Sequence, residues 1–194
     1  MALQAGCATL RVTDPPRTAD EQFLQSVAIR RAIADLSFIS LRDKRVFVDT
    51  QYVYADLFPN AEQIFLVGEL RNRLLIEGAA IVEQRDEAEV ILEVRSGAVG
   101  INRDDWLLGF PGLNVPVGNV DTGDVEVPVI LPELSIVKRR TQRGYASISI
   151  TAYFADTGEL VAASGPSVKR TLRQDYWFFG LGPRTTGDVP PVED

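Results

Sequence analysis

The sequence predicts an α/β (α+β) fold: a single mixed sheet with helices packed against it, and a long apolar loop inserted before a C-terminal hairpin. Three observations lead there. Two stretches with helical spacing of apolar residues, 19–36 and 61–77, are interleaved with short runs such as Arg45-Val-Phe-Val-Asp49 that read as buried strands. Residues 145–154 alternate strictly, with Ala146, Ile148, Ile150, Ala152 and Phe154 on one face and Tyr145, Ser147, Ser149, Thr151 and Tyr153 on the other. Asp156-Thr-Gly158 then supplies a hairpin turn. At 194 residues the chain has the length of one domain with tails, enough to bury a core without a staple.

The elements follow in order. Thr18-Ala-Asp-Glu21 is a capping box, so a helix starts at Ala19, and its apolar residues spread around much of its circumference, which suits a sandwiched position. Asn60 is placed to cap the second helix, Gly78 to stop it, and Ile64, Val67, Leu70, Leu74 and Leu75 form its apolar stripe. Strands are expected at 80–83 and 90–95, the second apolar throughout as a strand covered on both faces would be. Residues 97–132 hold six Gly and four Pro around the run Trp106-Leu-Leu-Gly-Phe-Pro-Gly-Leu-Asn-Val-Pro-Val117, and read as a long loop, functional or mobile. Strands resume at 133–139, 145–154 and 160–165, where Pro166 marks an edge or an end. The expected organisation is a leader remnant and linker over 1–17, one domain over 18–180 and a disordered acidic tail over 181–194.

Composition narrows the chemistry. There are 20 Lys+Arg against 27 Asp+Glu, a formal charge of −7, which is the wrong sign for general nucleic-acid binding. The chain has no His and one Cys, so Ser-His-Asp and Cys-His couples, His-ligated metals and intrachain disulfides are all excluded. No Gly-rich phosphate loop or Gly-x-Ser-x-Gly elbow is present, and Asp121-Thr-Gly-Asp124 lacks the ligand spacing of a calcium loop. The expectation is a protein with no catalytic residues, no metal and no cofactor.

Three features point to surfaces instead. Ala5-Gly6-Cys7 has the small residues that precede a lipidated cysteine, and Arg11-Val-Thr-Asp-Pro-Pro-Arg17 would serve as an extended tether. Cys7 is then either an acylated anchor or a free thiol. The turn at 156–158 implies pairs summing to about 315, which brings Lys138, Arg139, Arg140, Arg143, Lys169, Arg170 and Arg173 to one end of the hairpin beside Tyr176 and Trp177. These are either solvated strand ends or a docking surface for anionic headgroups, glycans or an acidic partner. Trp106, Leu107, Leu108 and Phe110 either fold over an exposed sheet face or anchor a partner.

The start at Cys7, Asp14-Pro-Pro-Arg17-Thr, Val46-Phe-Val-Asp49, Glu93-Val-Arg-Ser-Gly97, Leu107-Leu-Gly-Phe-Pro, Gln142-Arg-Gly-Tyr145 and Thr151-Ala-Tyr153 together resemble a family of uncharacterised bacterial envelope lipoproteins. More distantly, the element order is similar to the periplasmic α/β domain shared by the curli secretion channel subunit and the TolB amino-terminal domain. That resemblance implies a lipid-anchored, periplasm-facing protein of the outer membrane with a scaffolding, assembly or secretion-accessory role. It also implies association with an envelope protein or with itself, and no nucleic acid. A small carboxylate-dependent enzyme, or a ligand-binding module with 106–117 as lid, is the alternative.

Overall fold

The computed structural model describes residues 17–53, 61–117 and 127–188. Helix α1 (Ala19–Ala34) is followed by strand β1 (Arg45–Asp49), helix α2 (Ala61–Ile76), β2 (Ala80–Val82), β3 (Val90–Phe110), β4 (Leu113–Val117), β5 (Val127–Leu131), β6 (Leu134–Phe154), β7 (Leu160–Phe178) and β8 (Leu181–Gly187). Six strands form one mixed sheet in the order β2-β1-β3-β6-β7-β8, with β1, β2 and β3 parallel and the rest antiparallel. Both helices pack against it. The α/β sheet with its helices is as the pattern predicts.

The capping box forms as expected: Thr18 Oγ1 accepts from the Glu21 N–H, and the Glu21 carboxylate accepts from the Thr18 N–H. Leu24, Ala28, Ile29, Ala32 and Ile33 on α1 meet Val90, Leu92 and Val94 of β3 and Ala146, Ile148 and Ile150 of β6 in one apolar core. On α2 the buried row is Leu66, Leu70 and Leu74, whereas Ile64 and Leu75 of the expected stripe are exposed. The row is one face of a single helix, too narrow to bury all five. Gly78 ends α2 with φ +93, and the expected cap Asn60 lies outside the described residues.

Three expectations are corrected. Residues 97–110 are not a loop: β3 runs on without a break to Phe110, paired with β6 as far as Leu134. The register sum of 244 at Phe110↔Leu134 continues through Leu113↔Leu131 to Val117↔Val127, so β4 and β5 prolong the same hairpin. Two of the glycines that suggested a loop sit at irregularities, Gly97 in the bulge at Ser96/Ala98 and Gly109, at φ +148, in the bulge at Leu108/Gly109. Second, of the two readings of Pro166 the edge holds and the end does not, since β7 runs on to Phe178. Pro166 sits opposite the bulge between Ile148 and Ile150, on a stretch that β8 does not reach, so its missing N–H costs no ladder bond. Third, 181–187 is not tail but strand β8, and residues 189–194 lie outside the described residues.

The close approach of α1 to the sheet is concentrated at one glycine. A Cβ on Gly144 would stand 2.6 Å from Thr171 Oγ1 and 2.9 Å from the Leu24 carbonyl oxygen. The buried Thr171 hydroxyl donates to that same carbonyl at 2.8 Å. Gly144→Ala should therefore destabilise the fold by about 1–3 kcal/mol, the range for overpacking a fitted contact. Gly100→Ala, with nothing within 4 Å of the new carbon, should stay within about 0.5 kcal/mol of the parent. Urea unfolding of the two variants checks this, and equal stabilities would contradict the packing described.

Candidate functional site

Side chains alternate across the sheet, so each strand pairing also assigns faces. The core face carries α1. The Gln142 side chain donates to Glu21, and Arg173 pairs with Asp20 and Asp175. The opposite face of the body carries a closed polar network. Arg85 bridges Asp49 (3.2 Å) and the Tyr153 hydroxyl (3.2 Å); Tyr153 donates to Glu93, and Arg95 pairs with Glu93 at 2.7 Å while stacking over Tyr52. Each carboxylate there already holds an arginine. The network ties the segment after β2 across β1 and leaves no uncommitted base.

Concave space is found elsewhere. A groove of about 400 Å³ lies between the helices, with Phe23, Ile29, Phe65 and Glu62 in its lining, and Glu62 is engaged by Arg17 at 2.6 Å. An open depression at the start of β1 mixes Asp43, Asp86, Glu89 and Asp156 with Arg42, Lys44 and Arg85. The carboxyls that are held below the usual range lie outside both. Asp105 is lowered by its hydrogen bond from Arg103, helped by Arg140, and Asp188 by its hydrogen bond from Arg31 with a further one from the Leu172 N–H. Arg173, pulled down by burial, is carried above its ordinary value by hydrogen bonds to Asp20 and Asp175. These shifts stabilise ion pairs; a pair of carboxyls pushed apart, as acid–base work requires, is a different arrangement. Among the described residues no group of three or more Asp, Glu or Cys is placed to hold a metal ion.

The expected cation cluster is partly assembled. The register sum of 315 holds from Val137↔Phe178 to Ile148↔Ser167, so Tyr145 does pair with Arg170. Alternation, however, divides the seven cations: Lys138, Arg140, Lys169 and Arg173 share the core face, while Arg139, Arg143 and Arg170 are on the other. Five are neutralised, Lys138 by Glu133, Arg140 by Asp105, Arg143 by Asp104, Lys169 by Asp35 and Arg173 by Asp20 and Asp175. Among the described residues Arg139 and Arg170 form no ion pair. Cys7 lies outside the described residues.

Beyond the body, β3, β6, β7 and β8 continue as a ribbon in which the remaining site residues fall into rows. On the face away from α1, the first row is Asp104–Thr141–Gln174–Thr186, the next Trp106–Arg139–Tyr176–Arg184, and the next Leu108–Val137–Phe178–Leu181. On the α1 face, Asp105–Arg140–Asp175–Thr185 is followed by Leu107–Lys138–Trp177, where both Lys138 and Arg140 lie within 6 Å of the Trp177 ring. Phe110 and Leu134 pair still further out. Trp106, Leu107, Leu108 and Phe110 are therefore strand residues of an exposed ribbon, and neither cover the core nor hang as a free loop. The sequence reading missed Leu134, Ile136, Leu181 and Arg184. For Leu134 and Ile136 the signal was a pairing sum that stays at 244 to 245 along 90–154, hidden because the segment was not recognised as a hairpin.

This is a mixed α/β body that extends part of its own sheet into a solvent-exposed ribbon. The chain belongs to the Family of unknown function (DUF6655), which it matches over residues 4–191. No curated protein matches it. No described helix is long and apolar enough to cross a membrane.

Asp188 closes the end of β8 by accepting from the Leu172 N–H and from Arg31 at 2.8 Å each. Its folded pKa is depressed, so its contribution is complete above the unfolded carboxyl value near 4 and is lost as pH falls through the lower folded value. Asp188→Asn should thus lower the melting temperature at neutral pH, and the gap to the parent should narrow below about pH 4. A gap of constant size from pH 7 downward, in melts scanned by circular dichroism, would remove Asp188 from this role.

Proposed function

We propose that this protein is a non-catalytic component of the bacterial cell envelope, held at the periplasmic face of the outer membrane through an acylated Cys7, where it acts as a scaffolding or assembly factor by contact. The observation that carries the reading is the ribbon. A soluble domain rarely exposes a continuous apolar surface without a use for it, and here one end of the main sheet is given over to such a surface. The small residues before Cys7 and the polar segment that follows are in keeping with it. A lid at 106–117 fits less well, since 106–110 is laddered to β6 and would have to break those bonds to open.

Native-context expression of the parent and of Cys7→Ser checks the anchor. Metabolic palmitate labelling should mark the parent alone, and the variant should move from the membrane to the soluble fraction. An unlabelled parent whose fractionation ignores the substitution would contradict the proposal.

A further inference from the structure

The ribbon is apolar on both faces. By register Trp106, Leu108 and Phe178, 49%, 51% and 50% exposed, lie on one face, and Leu107 and Trp177 on the other; around the last bulge Phe110, Leu134 and Ile136 are 76%, 64% and 48% exposed. A protein partner docking on a sheet covers one face. A surface that wets both faces at once is a fluid one, and the rows identify its chemistry. Moving outward, a polar row gives way to Trp106–Arg139–Tyr176–Arg184 and then to a row with no polar side chain. On the α1 face the charged row Asp105–Arg140–Asp175–Thr185 gives way to Leu107–Lys138–Trp177. Tryptophan and tyrosine beside arginine and lysine, at the border of an uncharged apolar segment, is the arrangement favoured at headgroup level of a bilayer. Arg139 and Arg184 form no ion pair among the described residues, which leaves their charge for an anionic surface.

The end turn of β7 and β8 adds an independent observation. Phe179 has φ +49 and Gly180 φ +77, the pair of positive values of a two-residue hairpin turn in which Asn-Gly is the favoured sequence. A phenylalanine in that conformation is strained, and this one is 78% exposed, so little packing in the fold is set against the strain. A bulky ring kept at a hairpin tip at a cost to the backbone is accounted for by contact outside the molecule.

Resting on the envelope reading above, we infer that the outer stretch of the ribbon, from which β4 and β5 carry the hairpin on, lies in the interfacial layer of an anionic lipid bilayer, with Phe110, Leu134, Phe179 and Leu181 at the acyl boundary and Trp106 and Trp177 among the headgroups. Depth is limited by the backbone. Past Glu93 the outer edge of β3 pairs with no described strand, and an open edge is not tolerated in the hydrocarbon core. The ribbon of one chain therefore lies in the interface and does not cross.

The molecule carries its own probes, because its two tryptophans are Trp106 and Trp177. The full chain with Cys7→Ser, which removes the anchor from the measurement, is mixed with phosphatidylglycerol–phosphatidylcholine vesicles. Emission should shift to shorter wavelength, and lipids brominated near the headgroup should quench it more than lipids brominated near the chain end. Arg139→Gln and Arg184→Gln should each weaken partitioning about fivefold, the equivalent of one basic side chain at an anionic surface. Phe179→Asn should weaken it too while leaving the fold as stable or more so, which separates lipid contact from misfolding. Absence of a shift, binding unchanged by Leu108→Asp with Phe110→Asp, or a lipid-independent shift that tracks self-association of the protein would each overturn the inference. Because the anchor is absent throughout, these outcomes are independent of the fate of Cys7.

Discussion

Two rises per residue govern this molecule. A helix advances about 1.5 Å per residue and a strand about 3.3 Å, so the sixteen residues of α1 span roughly 24 Å while the twenty-one of β3 or β6 span roughly 70 Å. A helix of that length laid along the sheet covers only part of it. The amino end of α1, with Asp20 on Arg173 and Glu21 on Gln142, stands where the apolar core gives way to the charged rows. On the core side Leu24, Ile29 and Ile33 seal Val94, Ala146 and Ile148; on the other side the sheet continues without cover. The ribbon is what remains when strands outrun the helix that buries them.

That division places different forces in the two halves. The body is held by apolar burial, with the fit at Gly144 and the Thr171 hydroxyl fixing how closely the helix lies. Along the ribbon shaft the side chains are joined by ion pairs, Arg103 and Arg140 on Asp105 and Arg143 on Asp104. Such exposed pairs contribute little to stability. Their effect is on register: a slip by one residue would carry Asp105 to the face opposite Arg140, so the pairs favour the observed alignment in a segment with no core to enforce it. The edge of β3 is uncovered over the same stretch, and charged side chains with bulges at Ser96/Ala98 and Leu108/Gly109 discourage unintended pairing there.

The same contrast decides what could be read from the sequence. The capping box at Thr18, strand β1, the extent of α2 and the strict alternation at 145–154 were legible because each reflects one-sided burial or a local hydrogen bond. The register sum of 315 was also legible, although for a mixed reason. The turn itself joins Phe154 to Glu159, a sum of 313, and two bulges raise it to the 315 that holds beyond Ile148. Residues 97–110 were illegible as strand since alternation arises when one face is buried and the other is wet, and here neither is buried. Gly97, Gly100 and Gly109 then read as loop. The cation cluster misled in the opposite sense: proximity along the hairpin was right, but Asp20, Asp35, Asp104 and Asp105 come from other segments or the other strand, and no local pattern announces them. Strand β8 was hidden by the two glycines and proline at 180–183, which serve the turn and its exit.

The claim that the sheet leaves its cover partway along is tested most directly by residue-resolved amide hydrogen exchange on the full chain in solution without lipid. Along β6, the ladder amides of 146–152 should exchange only on global unfolding, and those of 134–140 should exchange through local opening at a much lower free energy, with the change falling near Gln142. Protection that stays at the global value out to Leu134 would show that the outer half of the hairpin is as well covered as the core, and would contradict the account.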